Sequence, residues 1–285
     1  MRRIVCLTSL LMSLSLFAQE TVSVKGRIVN TQGEAVEYVH VGMPKRQIGT
    51  VSSLDGRFEL QVPADTLEFH HVSYQTARFV VTGPEEDLVV VLQDAELPPA
   101  VFIGGDSKEM VLMRPGTRIG FGLGDFYRPE GVVKGMELGS VAKARKPFLV
   151  KDIQFSVVEN HIPGCVAAIN IYRIEGDPET FFNILHKPLY VQIPVTGSAQ
   201  SFDVQPDETI LLEPGRYFIA FELVDCDEEA VRAYQATPEA ERDVQAMHLW
   251  TPIYFKSSYQ RSVALGELKY MPVNIGISVK GLEFR

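Results

Sequence analysis

The stretch from Gly49 to Pro63 reads G-T-V-S-S-L-D-G-R-F-E-L-Q-V-P. Asp55-Gly56 near its centre is a two-residue turn signal, because a type I′ hairpin needs positive φ at both central positions. Closing the flanking strands on that turn pairs Ser53 with Phe58, Val51 with Leu60 and Gly49 with Val62. The intervening pairs are Ser52 with Glu59 and Thr50 with Gln61, so one face is mainly apolar and the other polar. That agreement of register and alternation is what a half-buried antiparallel ladder requires. A hairpin is therefore expected here.

Working outward, short alternating runs separated by turn residues recur from Val22 to Leu92. Strands are expected near 22–29, 37–43, 47–53, 57–62, 66–72, 76–82 and 87–92. Gln32-Gly33, Pro63-Ala64-Asp65 and Gly83-Pro84 mark further turns. About seven short strands in roughly 75 residues predict a small β-sandwich, with no helix-length segment for a parallel crossover. Between Asp94 and Gly116 the composition changes: Leu97-Pro98-Pro99, Gly104-Gly105 and Pro115-Gly116 punctuate a linker, in which Ser107 to Met113 has room for a helical turn. From Thr117 strands resume, clearest at Phe148–Val158, Val166–Ile174, Leu189–Ile193, Thr209–Leu212, Tyr217–Val224 and Met271–Phe284. Asp227 to Met247 is the exception. Thr237-Pro238-Glu239 carries a capping hydroxyl, a first-turn proline and an acid, so a helical insertion is expected to begin there. The expected architecture is all-β: a seven-stranded sandwich over 19–96, a linker over 97–116 and a larger jelly-roll-like sandwich over 117–285.

Met1-Arg2-Arg3 followed by an apolar run to Phe17 and then Ala18-Gln19 has the layout of a secretory signal over 1–18, too short to span a bilayer comfortably. Losing Arg2 and Arg3 would take the formal charge from −9 to −11. An acidic chain without a Lys/Arg-rich run argues against nucleic acid and anionic lipid as partners. Cys165 and Cys226 remain, one opening the run to Ile174 and the other following the run to Val224. If those runs are antiparallel neighbours, a disulfide is geometrically permitted; two unconnected small hydrophobes is the alternative.

Val24-Lys25-Gly26-Arg27-Ile28-Val29, Gly33, the Gly49–Pro63 segment and Leu67-Glu68-Phe69 through Tyr74 together resemble the carboxypeptidase-regulatory-like domain, over roughly residues 21–93. The resemblance implies a prealbumin-like sandwich, an exported Gram-negative envelope protein and a partner in the envelope, with association with outer-membrane transport machinery. It implies no peptidase activity. Ser73 stands where such domains usually have glycine before the tyrosine, and no plug or large barrel follows the exit-like Leu97–Phe102 segment. The C-terminal part is only loosely similar to jelly-roll-like domains of envelope proteins carrying the same module.

No catalytic motif assembles in the sequence. There is no H-E-x-x-H, G-x-S-x-G, P-loop or C-x-x-C. Ser140-Val141-Ala142-Lys143 matches S-x-x-K without its partner motifs. Gly120-Phe121-Gly122-Leu123-Gly124 lacks the following helix of a dinucleotide loop. His70 and His71 point to opposite strand faces and so cannot share a metal; His40 with either is a weaker metal alternative to solvent-facing histidines. Asp225, Asp227 and Glu228 are weak calcium candidates, since favourable charge at a helix start accounts for them without a metal. Trp250, Tyr254 and Tyr259 are candidates for stacking on sugar rings, Phe255 lying between them. The expected role is a non-enzymatic exported module pair, without cofactor, that binds an envelope protein or glycan. Two rivals stand beside it: a glycan-active enzyme with carboxylates across a cleft, and a small outer-membrane barrel closed by Met271–Phe284.

Overall fold

The turn at Asp55-Gly56 forms, but it is not a hairpin between paired strands. In the computed structural model, which describes residues 21–96, 104–128, 131–243 and 246–285, the N-terminal unit holds seven strands in two sheets. These are β1 (Thr21–Asn30), β2 (His40–Met43), β3 (Ile48–Val51), β4 (Arg57–Pro63), β5 (Thr66–His70), β6 (Ala77–Val80) and β7 (Glu85–Leu92). One sheet has the order β4-β1-β7 and the other β3-β2-β5-β6, so β3 and β4 belong to facing layers. Leu60 lies opposite Val24, and Val51 opposite His40. The Gly56 N–H donates to the Ser53 carbonyl and the Ser53 N–H to the Arg57 carbonyl, both at 2.9 Å. Gly56 alone of the central pair has positive φ (77°), so the turn is not type I′. A Cβ there would meet the Ile28 carbonyl oxygen at 2.4 Å. The chain thus changes sheets immediately after a closed turn. Alternation shows that a face is buried but not against which layer, and here it divides. Phe58 and Val62 fill the sandwich core, whereas Val51 points out of it.

All seven expected strands are present. One pairing was not foreseen: β7 runs parallel to β1, reached through the second sheet rather than through a helix.

The C-terminal unit contains β8 (Ser107–Met113), β9 (Thr117–Asp125), β10 (Tyr127–Arg128), β11 (Gly131–Val132), β12 (Glu137–Ala144), β13 (Phe148–Val157), β14 (Glu159–Asn160), β15 (Val166–Glu175) and β16 (Thr180–Asn183). It continues with β17 (Leu189–Gln192), β18 (Gln200–Val204), β19 (Leu211–Leu212), β20 (Gly215–Asp225), α1 (Glu228–Ala236), β21 (Leu249–Phe255), β22 (Ser258–Arg261), β23 (Lys269–Met271), β24 (Asn274–Ile275) and β25 (Ile277–Phe284). A front sheet of order β16-β15-β20-β12-β22-β23, with β17 also on β15, packs on a back sheet of order β18-β13-β25-β8, with β19 also on β13. A third sheet, β14-β21-β24 with β9 on β21, closes one end. Ile169, Ile171, Ile219 and Phe221 of the front sheet meet Phe148, Ile153 and Val279 of the back in one large core. Phe155 stands edge-on to Phe221 at 4.9 Å.

Three expectations are corrected. Ser107–Met113, placed in the linker with room for a helical turn, is strand β8 on the edge of the back sheet, against β25. The Met271–Phe284 run does not close a barrel: it breaks at Gly276, sending β24 to the third sheet and β25 to the centre of the back sheet. The α-helix begins nine residues before Thr237, after Asp227, whose carboxylate accepts from the Glu229 and Ala230 N–H groups, and only a 3-10 turn, Glu239–Glu241, follows the Thr237-Pro238 motif. Thr237 instead sits at the helix C-terminus and donates its hydroxyl to the Ala233 carbonyl. The signal region, the segment 97–103 and Val244 lie outside the described residues.

The front sheet is buried on both faces, which explains the continuous apolar runs of β15 and β20. The part of its outer face around Val166 and Val224 is covered by the N-terminal unit, and the part around Phe218 by Phe181, Tyr259 and Leu268 of its own unit. Tyr38, Val51, Val166, Ala168, Val224 and Ala264 form a shared cluster, with Tyr38 edge-on to Tyr190 at 4.8 Å. Gly49 is required at this seam, since a Cβ there would lie 2.0 Å from the Ala264 carbonyl oxygen. Directional bonds add to it: the Ser73 hydroxyl donates to the His186 carbonyl at 2.8 Å, and the Glu267 N–H to Gln47 Oε1 at 3.0 Å.

Candidate functional site

Alternate residues of β15, β20, β12 and β22 carry a polar network in the middle of that outer face. Glu137 and Glu222 lie directly opposite one another on neighbouring strands, and Arg261 lies opposite Glu137 on the other side. Like charges so placed repel, yet Glu137 is 0% and Glu222 1% exposed. Their neighbours explain how this is tolerated. The Asn170 amide donates to Glu137 Oε1 at 2.8 Å and to Glu222 Oε2 at 2.6 Å, bridging the pair. The Tyr172 hydroxyl donates to Glu137 Oε1 at 2.6 Å, and Arg261 Nη1 is 3.1 Å from Glu137 Oε2. From the N-terminal unit, His40 Nε2 lies 2.6 Å from Glu222 Oε1.

Burial pushes the Glu137 carboxyl up, and Glu222 adds to the rise while Arg261 opposes it. Burial opposes protonation of His40, but Glu222 and then Glu137 outweigh it and hold its pKa above the ordinary value. His70, opposite His40 on β5, is pushed down to about 4 by burial and by the charge of His40. His71 falls to about 3, chiefly through burial, and its Nε2 lies 3.4 Å from the Tyr190 hydroxyl. The expectation of solvent-facing histidines is therefore corrected: His40 and His71 are turned into the seam between the units. No group of three or more metal-ligating side chains occurs among the described residues. Chemically the network is an imidazole and a guanidinium shared between two carboxyl groups, closed over by both sandwiches. It lacks the open cleft between carboxyl groups that glycoside hydrolysis uses.

The calcium candidates are otherwise engaged. Lys134 Nζ lies 3.1 Å from Asp225 and 2.8 Å from Glu228, and Asp227 caps α1. Those acids hold the Lys134 pKa above its ordinary value against the opposing effect of burial. Cys165 and Cys226 are both free and buried, and the opposition of Val166 to Asp225 brings them side by side. Burial pushes both thiols up, Cys226 to about 12. Ser140 is buried and donates to the Ile275 carbonyl at 2.7 Å; Lys143 projects from the other face, so the S-x-x-K pair never meets. Gly120–Gly124 lie within strand β9.

The three stacking candidates separate. Tyr259 is 9% exposed, in a cluster with Phe181 and Phe218, and donates its hydroxyl to Glu179. Tyr254 packs over Gly276, where a Cβ would meet its ring at 2.5 Å. Trp250 is half-buried at the centre of an aromatic surface. His248 lies 5.1 Å from it at a 33° tilt, His161 is edge-on at 6.2 Å, and Tyr127 is 5.1 Å from His248. Asp125 holds His248, and Glu159 lies 3.0 Å from His161. Trp250 was among the aromatics singled out in sequence; His248 stands two residues before it, and the other neighbours come from two distant segments, Asp125–Tyr127 and Glu159–His161. The buried network was missed, although a lone charge inside Phe218–Val224 and a lone amide inside Val166–Ile174 mark it.

The family model for the CarboxypepD_reg-like domain matches residues 24–98. The N-terminal sandwich is such a domain, as its glycine spacing indicated. No curated protein matches the chain. Among solved structures, a DUF3823 family protein from Bacteroides ovatus aligns over 72% of this chain and 97% of its own, at 7% identity and a TM-score of 0.22. One from Parabacteroides merdae aligns over 90% and 98%, at 10% identity and a TM-score of 0.21. A structure of infectious bursal disease virus aligns over 88% and 63%, at 10% identity and 0.28.

Proposed function

We propose that this is a non-enzymatic exported envelope protein, its two sandwiches locked into one body that presents the Trp250 surface to a glycan. The aromatic surface carries the reading: an indole flanked by His248 and His161, with Asp125 and Glu159 beside them, offers both stacking and hydrogen bonding to a sugar ring. The sealed state of Glu137 and Glu222 supports a binding rather than a hydrolytic role. A pull-down on envelope glycans and envelope fractions with the mature protein tests it. Trp250→Ala should reduce retention about tenfold or more, in line with the loss of one stacked ring; unchanged retention removes the proposal.

Export would place Cys165 and Cys226 in an oxidising compartment, where the neighbouring thiols would bridge. Alkylation before reduction, on protein recovered from the envelope, checks this. Labelled cysteines would speak against both the bridge and that compartment.

A further inference from the structure

A second concave site lies where β8, the edge strand of the back sheet, meets the ends of β12 and β20 in the front sheet. Its volume is about 820 Å³, within the range of cavities that take drug-sized molecules. Lys143, Arg145 and Lys146 line it from the end of β12 and the segment leading to β13, Arg216 from β20, and Lys256 from the segment between β21 and β22. Lys143 stands directly opposite Arg216 across the β12–β20 ladder, a like-charge pairing that costs stability. Glu179 engages Arg216. Among the described residues, Lys143, Arg145, Lys146 and Lys256 have no carboxylate partner, and Glu283 alone brings negative charge to the lining. The chain as a whole carries a formal charge of −9, so this positive excess is local. Lys256 is half-buried, and burial lowers its pKa with no anion to oppose the effect. On the same lining Met110, Leu112 and Val141 are only partly buried, so hydrocarbon as well as charge faces the cavity.

We propose that this cavity binds an amphiphilic phosphate monoester, its phosphate held among Lys143, Arg145, Lys146 and Lys256 and its apolar body laid on Met110, Leu112 and Val141. The charges set the headgroup. Four unpaired cations against one carboxylate leave more positive charge than a monocarboxylate offsets. A phosphate monoester brings roughly two negative charges at neutral pH and three acceptor oxygens, which match the ammonium donors of the lysines and the fork of Arg145. A concavity with charge of one sign over low-dielectric walls focuses its field and raises the local concentration of such an anion. The walls set the body. An inorganic ion leaves Met110, Leu112 and Val141 in water, whereas an alkyl chain covers them. This site is separate from the glycan surface: Trp250 does not line it.

Calorimetric and phosphorus NMR titration of the mature protein with octyl phosphate tests the assignment, with inorganic phosphate and octanol as controls. Octyl phosphate should bind at least about tenfold more tightly than either control, and its lead over octanol should shrink as salt is added. Arg145→Glu combined with Lys146→Glu, both on exposed positions, should abolish octyl phosphate binding. Lys256→Gln should weaken it about tenfold, the loss of one hydrogen bond to a charged group, without lowering the Tm. Met110→Gln should bring the affinity for octyl phosphate down toward that for inorganic phosphate. Trp250→Ala should leave octyl phosphate binding intact, which separates this site from glycan retention. Vesicles of phosphatidylcholine with and without phosphatidic acid distinguish the source of the ester. Sedimentation only with the phosphatidic acid vesicles assigns a membrane headgroup, and octyl phosphate binding without sedimentation assigns a free ester. Octyl phosphate that binds no more tightly than inorganic phosphate or octanol, or equally well to the Arg145→Glu, Lys146→Glu variant, overturns the proposal.

Discussion

The two faces of the front sheet are made by the same strands and have opposite chemistry. Toward the back sheet, Ile169, Ile171, Ile219 and Phe221 meet only hydrocarbon. Toward the N-terminal unit, residues one step along, Asn170, Tyr172 and Glu222, join Glu137, Arg261 and His40 in a hydrogen-bonded set between two apolar clusters. Apolar burial is strong and non-directional, so the inner face drives collapse without fixing one orientation. The outer face is directional, because three of the four carboxylate oxygens accept hydrogen bonds from placed donors and the fourth, Glu137 Oε2, faces Arg261. The difference assigns adhesion to one face and the docking geometry of the two units to the other.

Five variants sharpen or break that division. Phe221→Ala on the dry face should cost about 3–5 kcal/mol, read from denaturant unfolding, because the cavity left beside Phe126 and Phe155 cannot fully collapse. Arg261→Ala should cost about as much, by leaving two buried carboxylates short of a cation. Combining Glu137→Gln, Glu222→Gln and Arg261→Met should recover most of that loss. If the triple variant is no better than Arg261→Ala alone, the charges contribute adhesion after all, and the contrast between the faces fails.

His40→Ala should weaken docking by about 1–3 kcal/mol, the worth of a hydrogen bond to a charged partner, and should remove a pH dependence. His40 faces Glu222, Glu137, Arg261 and His70. Its pKa in the docked protein lies above the ordinary 6.5. Its contribution is therefore complete below 6.5 and is lost as pH rises through the higher docked value. Glu137, also raised, acts in the same direction, with its contribution present at acid pH and lost on the way up. Melting of the native protein across this window should show the decline, and His40→Ala should flatten its upper part. Gly49→Ala, where a methyl meets the Ala264 carbonyl, should cost about 1–3 kcal/mol by overpacking. Limited proteolysis should then separate two folded units rather than degrade one.

The positions of the N-terminal strands were legible because their alternation has period two and their turns use Gly, Asp and Pro for steric reasons. The sheet change at Gly56 was not, because an Asp-Gly turn closes locally whether or not its flanks go on to pair. Thr237-Pro238-Glu239 starts only a 3-10 turn, since the α-helix had already begun at Asp227, the better cap beside its own two acids. Of the candidate site, Trp250 stood in the sequence as one of three stacking candidates, and His248, two residues before it, shares its strand face by period two. His161 and Tyr127 come from distant segments, which no spacing in the chain announces.

Residue order by itself determined an all-β chain with short, turn-punctuated strands from Val22 to Leu92, because periodicity and turn chemistry are local properties of the backbone. Only the tertiary structure decided that β15 and β20 are buried on both sides, and that Glu137, Glu222, Arg261 and His40 meet between the two units. A charge within an apolar run looks like an interruption until the partner strand, more than a hundred residues away, supplies the group that neutralises it.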